Sequence, residues 1–556
     1  MKRLYILLPG TIFCILAFFL FFPLVHVFRQ AFFPDGRFSA VFFRNLVVNP
    51  IMREAIFNSF ALATVATVMT AILALPLAFF NVRFSFPAKN VIGGLLLTPM
   101  IMPPFVGAVG MRQFLARFGT INLLLMDWGV IASPVDWLGA ARFWGVAIVM
   151  ALHLYPVMYL NVTAWLVNVD PALEEAAVNM GSGGWSLFRR VTLPLMMPGL
   201  FAGSIIVFIW ALTDLGTPLV FEYRRVMAVQ IFDRVTDMNS NPEGSALVAL
   251  VLVLTLAVFV AGKRLFGASR GSMLRKGGSR SAERDPGTPA KILILLFFAA
   301  TITVSALPHL SVILTSLREK WFMTVLPESF TFQHYRNALG HELTLPSIRN
   351  SIMLSSMSTF VDLLLGVTVA YILVRKPFKG SDILDGAVML PLAIPGIVLA
   401  FGYVGSFAGT ILDPRENPMP LLVIAYAVRR LPYMVRAAYA GFQQVSSRLE
   451  EAGVNLGSSA FRVTRRVTLP LISANLIAGG ILAFSFAMLE VSDSLILAVK
   501  EQFFPITKTI YHLLARIEDG SYIAAALGVW AMLFLALSLV AGGILLGRRM
   551  GRLFRV

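Results

Sequence analysis

Four carboxylates stand inside stretches that are otherwise apolar enough to cross a bilayer: Asp214, Asp362, Glu490 and Asp493. An ionisable group at such depth is costly, so it marks a pathway, a gate or a partner. Asp214 and Glu490 are 276 positions apart, and Asp493 follows Glu490 by three residues, on nearly the same helix face. Acids placed like this can favour a cation, such as ferric iron, a polyamine or thiamine, or they can hold a gate or a helix contact. Asp362 has no matching acid in the first half. His153 and Arg429 repeat the 276 spacing, each shortly before a proline (Pro156 and Pro432), and His153 reads as a packing residue. No grouping of His, Cys, Asp and Glu has metal-ligand spacing. There is no His-Glu-x-x-His and no phosphate loop; the sole Gly-Lys pair, Gly262-Lys263, is followed by Arg264.

The strongest pattern is polar. Glu174–Leu195 reads EEAAVNMGSGGWSLFRRVTLPL, and Glu450–Leu471 reads EEAGVNLGSSAFRVTRRVTLPL, with 14 of 22 residues identical. Asp170-Pro171 can start the first island as a helix, since Asp caps and Pro is tolerated in the first turn. Glu174 and Glu175 then sit near the positive end of the helix dipole. Gly181 and Gly457 are expected to break the helix. A second short helix runs to Arg189-Arg190 or Arg465-Arg466, and Leu193-Pro194 and Leu469-Pro470 are expected to stop it and redirect the chain into the next span. Surface ion pairs alone are weak, and a mere connecting loop has no reason to be copied so closely. The islands read as two knobs gripped by something outside the membrane.

The elements that carry them are apolar helices. The chain has 556 residues, 58% hydrophobic and 13% charged, with a mean hydropathy of +0.79. A soluble chain carries about a quarter charged residues. Runs of about 20 apolar residues recur, long enough to span a core of about 30 Å, and a β-barrel's short alternating strands are excluded. The spans expected are 5–27, 56–80, 91–111, 143–166, 198–221 and 245–262, then 291–316, 351–374, 386–408, 419–441, 474–499 and 523–546. Six and six point to duplication. Asn58-Ser59 matches Asn350-Ser351, and the prolines of LTPMIMPP, Pro99 and Pro103, match Pro391 and Pro395 of LPLAIPG. These pairs are offset by 292, so the first half holds 16 extra residues between Gly110 and His153, with Trp128 and Trp137 expected outside.

The net charge of +17 is expected on cytoplasmic segments, where Lys and Arg orient helices and meet anionic lipid; nothing accompanies it that reads nucleic acid. The linker Lys263–Lys291 has eight Lys or Arg against two acids and is rich in Gly and Ser, hence flexible and cytoplasmic. Even span counts then put both termini, and both islands, on that side. Cys14, the lone cysteine, excludes an intrachain disulfide. The N-terminal run reads as a retained span rather than a signal peptide.

The pattern Glu-Ala-Ala, three residues, Gly, nine residues, Val-x-Leu-Pro resembles the cytoplasmic signature of binding-protein-dependent ABC importer permeases. Glu175, Ala176, Ala177, Gly181, Leu193 and Pro194 match it; so do Glu451, Ala452, Gly457, Leu469 and Pro470, with Gly453 departing from the second alanine. The resemblance implies an all-α membrane protein of about 12 spans, two tandem six-helix type I repeats, with domains at 1–262 and 291–556 and a basic linker at 263–290. It implies coupling loops, each led by Glu174 or Glu450, that dock into two copies of a separate ATPase. ATP and Mg2+ would lie on that ATPase, with no cofactor on this chain. A periplasmic or extracellular binding protein would deliver substrate, one copy of this chain would serve each complex in a bacterial inner membrane, and Asp214, Glu490 and Asp493 would line a pathway or gate. The fused halves with LPLAIPG and LEVSDS are most similar to ferric-iron permeases. Relatives for thiamine, 2-aminoethylphosphonate, polyamines and sugar phosphates are similar alternatives, and an ion-coupled secondary transporter is a rival class.

Overall fold

In a computed structural model, residues 2–34, 36–137, 142–167, 169–170, 172–235, 242–267, 283–321, 323–516 and 519–553 are described. Eight helices among them are long and apolar enough to cross a membrane, and two bent pairs, Ser381–Leu392 with Gly396–Ser406 and Ala460–Leu471 with Ser473–Met488, bring the number to ten. The two remaining expected spans are helical as well, and each fails the simple test for its own reason. The tenth, Met419–Gln444, carries Arg429, Arg430 and Arg436 in every eighteen-residue window. The third is broken.

That break corrects the expectation of a straight span at 91–111. The chain runs as Lys89–Leu95, a tight 3-10 turn Thr98–Ile101, and then Pro104–Leu115. Pro103 is extended at φ −58°, ψ 137°, and Pro395 of the ninth span is extended at φ −62°, ψ 142°. A proline lacks an amide hydrogen and pushes its predecessor out of helical geometry. The ninth span therefore bends by 98° at the same place.

The chain packs as two compact units. One comprises Met1–Leu46, Ile231–Leu252 and Tyr335–Val556; the other comprises Val47–Gln230 and Val253–His334. Each contains the middle spans of one half and the first span of the other. In the former, Phe22–Phe32 packs on Gly396–Ser406, where Gly402 lets the backbone of Pro23 approach and Tyr403 Oη donates to Phe19 O at 2.7 Å. In the latter, Thr288–Leu317 packs on Pro104–Leu115 at Gly107 and Gly110, against Pro308 and Ser311. A Cβ at these glycines would collide with the facing helix, which is how small residues bring membrane helices together.

Inside each unit the duplicated contacts recur. Pro50–Arg83, Phe143–Val167 and Leu193–Thr213 pack mutually, as do Thr344–Arg375, Met419–Gln444 and Ser473–Met488. Gly203 lies against Met158, and Gly479 against Met434. The matched Asn-Ser pairs do matched work. Ser59 Oγ accepts from Met227 N at 2.8 Å while Asn58 donates to Arg225 O; Ser351 Oγ accepts from Ile506 N at 2.7 Å while Asn350 donates to Gln502 O and Phe504 O. Each serine satisfies an otherwise orphaned amide at a helix start, and each asparagine holds carbonyls of the segment before it.

The 16 extra residues of the first half fold around one side chain. Asn122 donates to Ala116 O, Arg117 O and Val135 O and accepts from Val135 N and the indole of Trp137. Trp128 is exposed. Of the linker, residues 268–282 lie outside the described residues.

Candidate functional site

The two polar islands fold alike. Asp170 Oδ1 accepts from Ala172 N at 3.0 Å, and at the same position of the second copy Ser446 caps Ser447–Asn455. Pro171 lies outside the described residues. The first helix of each knob ends in a left-handed glycine, Gly181 and Gly457, both at φ +88°. The following amides close the turn: Ser182 N on Ala177 O and Gly181 N on Val178 O, then Ser458 N on Gly453 O and Gly457 N on Val454 O. This is the Schellman arrangement, and its φ favours glycine strongly.

The two acids of each pair separate in role. Glu174 is buried: its Oε1 lies 3.0 Å from Arg83 Nη2 and accepts from Thr192 Oγ1 at 3.0 Å. Glu450 repeats this with Arg375 Nε at 3.0 Å and Thr468 Oγ1 at 3.0 Å. Arg83 and Arg375 end the second and eighth spans, so the first acid bolts each knob to a membrane helix. Glu175 and Glu451 face outward, as do Ala176 and Ala452. Sequence reasoning did not pair Arg83 and Arg375 with these acids. Their shared 292 offset was the signal that they belong to the duplicated machinery.

The short second helix of each knob passes through a π-helical turn, Phe188–Thr192 and Thr464–Thr468. Here the expected stop at Leu193-Pro194 is corrected. Gly184–Val220 runs through as one span, because Pro194 falls in the first turn of the renewed α-helix, where its missing amide is not needed. In the second copy Pro470 sits equivalently, and the chain turns by 74° only at Ile472. Gly453, the departure from the motif, also has a local cause: a Cβ there would lie 2.8 Å from Val463 Cγ2, and in the first copy, where alanine stands at 177, the residue matching Val463 is Leu187.

Each knob presents apolar side chains to the outside at matching positions. Met180 and Leu456 are 81% and 88% exposed, and Trp185 and Phe461 are 71% and 77% exposed. Large apolar groups this bare, repeated at one spacing, mark an interaction face.

Asp214 and Glu490 each sit where a span is interrupted. Asp214 follows Leu193–Thr213 with extended backbone (ψ 124°) and accepts from Gly216 N at 3.2 Å, capping Gly216–Val220. Glu490 lies between Ser473–Met488 and Ser492–Leu497, its carbonyl taken by Ser494 Oγ and Thr507 Oγ1, each at 2.7 Å. Irregular backbone at membrane depth is tolerated where protein or a cavity surrounds it. The surroundings differ. Glu490 pairs with Arg429 at 2.6 Å and with Arg430, and Asp493 lies 3.3 Å from Arg429. Two acids and two arginines make a buried, formally neutral cluster, with Gly396 leaving space for the Arg429 guanidinium. His153, the counterpart of Arg429, meets Pro99 O at 3.0 Å. Asp362 is fully buried, with no hydrogen-bond partner on either oxygen. Among the described residues no group of three or more His, Cys, Asp or Glu could hold a metal.

Outside the spans, Glu222 receives Arg142 and Arg112, the latter at 3.1 Å. These guanidiniums, Arg142 first, hold its carboxyl below the usual glutamate value.

The chain is similar to several known proteins. The chain is 26% identical over 525 residues, 93% of its length and 75% of the relative's, to the ferric transport system permease protein FbpB of Actinobacillus pleuropneumoniae. It is 30% identical over 177 residues, 32% of its length and 70% of the relative's, to the molybdate/tungstate transport system permease protein WtpB of Pyrococcus furiosus. A solved bacterial ABC transporter involved in alginate import aligns with a TM-score of 0.35 at 15% identity, covering 46% of this chain and 98% of that one. The family described as the binding-protein-dependent transport system inner membrane component matches twice, over residues 68–268 and 362–551, and this chain belongs to it.

Proposed function

We propose that this chain forms the translocation pathway of an ATP-driven importer and that its two knobs couple it to two copies of a separate ATPase. The carrying observation is the matched face: Met180 and Trp185 on one loop, Leu456 and Phe461 on the other, each held by an inward glutamate and a glycine-closed turn. Two like surfaces suit two like partners. ATP and Mg2+ belong to those partners, one copy of this chain supplies both permease domains (1–262 and 291–556), and both termini face the cytoplasm. A binding protein serves the opposite face.

The mechanism is alternating access. Closure of the ATPase dimer draws the knobs together, and rigid knobs pass that motion into the fifth and eleventh spans. Because Gly184–Val220 is one span, motion of the first knob reaches the interruption at Asp214 directly. We assign gating roles to Glu490 and Asp493 in the second half and, separately, to Asp214 at the interruption of the first: the cluster of Glu490, Asp493, Arg429 and Arg430 is neutral and can break and re-form as helices shift without leaving net charge in the membrane.

Ferric iron is the proposed substrate, supported by similarity along nearly the whole chain to a ferric permease. The paired acids Glu490 and Asp493 offer no surplus negative charge to a cation, which keeps the other substrate classes in the test. Reconstituted complex is assayed for ATP hydrolysis with binding protein and ferric iron, thiamine, 2-aminoethylphosphonate, a polyamine or a sugar phosphate. Stimulation by ferric iron alone, abolished by Glu175→Ala with Glu451→Ala, is expected. Stimulation by another member reassigns the substrate; uptake driven by an ion gradient without ATPase sinks the importer mechanism.

A further inference from the structure

Beneath the first knob the packing leaves a cavity of about 580 Å3, within the range of about 300–1,000 Å3 in which proteins hold small ligands. Its wall is aromatic, with Phe79, Phe80 and Phe84 at the end of the second span and Trp185 and Phe188 from the knob. Phe79 meets Phe188 edge-on at 5.1 Å, and Trp185 stacks on Phe188 at 5.3 Å. Its polar lining comprises Arg83, Glu174 and Arg284, with Arg284 beside Phe84.

Arg284 comes from the end of the basic linker and is fixed by its backbone. Its amide donates to Arg83 O at 2.9 Å, and its carbonyl accepts from Ser85 N at 3.1 Å. Its neighbour Glu283 pairs with Lys89 at 3.0 Å. Glu174 Oε1 is engaged by Arg83 and Thr192, while the Arg284 guanidinium stands 3.7 Å from Oε2, outside hydrogen-bond distance and 47% exposed. Two guanidiniums against one carboxylate leave one positive charge at the mouth of an apolar cavity, at the end of a membrane span. That combination suits an amphiphile with an acyl chain and an anionic head.

We propose that this cavity binds one anionic phospholipid, its phosphate on Arg284 and its chain along Phe79, Phe80 and Phe188. The site is particular to the first half. The residues matching Phe84 and Phe188 are Lys376 and Thr464, so the aromatic wall is not repeated under the second knob. A lipid here forms the floor of one coupling loop, and membrane composition thereby sets how stiffly that loop follows its partner.

Trp185 is the reporter. The full chain in nonionic micelles is titrated with phosphatidylglycerol or phosphatidylcholine carrying brominated acyl chains, and the Trp185 signal is taken as wild type minus Trp185→Phe. Phosphatidylglycerol is expected to quench it at about fivefold lower mole fraction, the effect of one basic residue on an anionic head group. Arg284→Gln should erase the preference and Arg284→Lys should restore it, which separates charge from a loosened linker. Equal quenching by the two lipids, or none by either, overturns the proposal. Relief of phosphatidylglycerol quenching by inorganic phosphate overturns it in favour of a free-anion site. No ATPase is present, so failure of the coupling reading leaves this result standing.

Discussion

The knobs and the mid-span interruptions descend from the same duplication, yet the knobs have stayed alike and the interruptions have not. Both knobs keep the inward acid, the threonine that braces it, the glycine at φ +88° and the π-helical turn. At the interruptions, Asp214 caps a short helix with His153 at the position that matches Arg429, while the second half assembles Arg429, Arg430, Glu490 and Asp493. Two surfaces proposed to meet like partners have kept one geometry. The interior positions have diverged: one half gathers its acids with arginines, while the other leaves a lone acid to hold a backbone amide.

The sharpest way to break that comparison is to remove one acid from each half. Glu490→Gln leaves two buried arginines facing Asp493 alone and should cost about 3–5 kcal/mol. Asp214→Asn should cost less than about 1 kcal/mol. Unfolding in mixed micelles measures both, and equal losses would erase the distinction. Next come the bolts of the knobs. Arg83 and Glu174 are each 4% exposed, against 11% and 16% for Arg375 and Glu450. Glu174→Gln should cost about 3 kcal/mol and Glu450→Gln about 1 kcal/mol by the same assay.

The turns should behave as twins. Gly181→Ala and Gly457→Ala force left-handed backbone on a side chain and should each cost about 1–2 kcal/mol. Gly453→Ala should cost about 1 kcal/mol by crowding Val463, with the loss recovered in the Val463→Ala background. A small effect is expected at Glu222. Its pKa is lowered in the folded protein, so its contribution is fully present above the ordinary value of 4.5 and fades as pH falls through the lower, folded value. Hydrogen exchange of the 221–226 loop should rise only in that acid range. In Glu222→Gln it should already be raised at neutral pH; a pH-independent loop in both proteins would remove the ion pair from the account.

What the residue string disclosed follows from what periodicity can carry. Apolar runs located the helices, and the doubled islands located the knobs, because both are local. The bends at Pro103 and Pro395 were visible as prolines, but whether a proline starts, bends or interrupts a span depends on which amide is already unused. Pro194 illustrates this, falling two residues after the end of a π-helical turn. The pairing of Arg83 with Glu174 joins residues far apart in the chain, and no local spacing reports it. The same holds for Arg429 and Arg430 with Glu490. The apolar run at 419–441 marked the tenth helix despite its arginines, but not the pairing that lets it sit in lipid.

The exchange of first spans has a consequence for synthesis. Tyr403 holds Phe19, 384 positions earlier in the chain. At about 5–20 residues per second, the opening helix resides in the bilayer for roughly 20 to 80 seconds before its docking surface exists. Ribosome-bound chains halted before position 396 should leave that helix accessible to lipid-phase crosslinkers, and chains halted after the tenth helix has emerged should protect it; early protection would mean that something else shelters it meanwhile. A nascent chain organised in this way makes its first helix a client of the insertion machinery until the second half has been made.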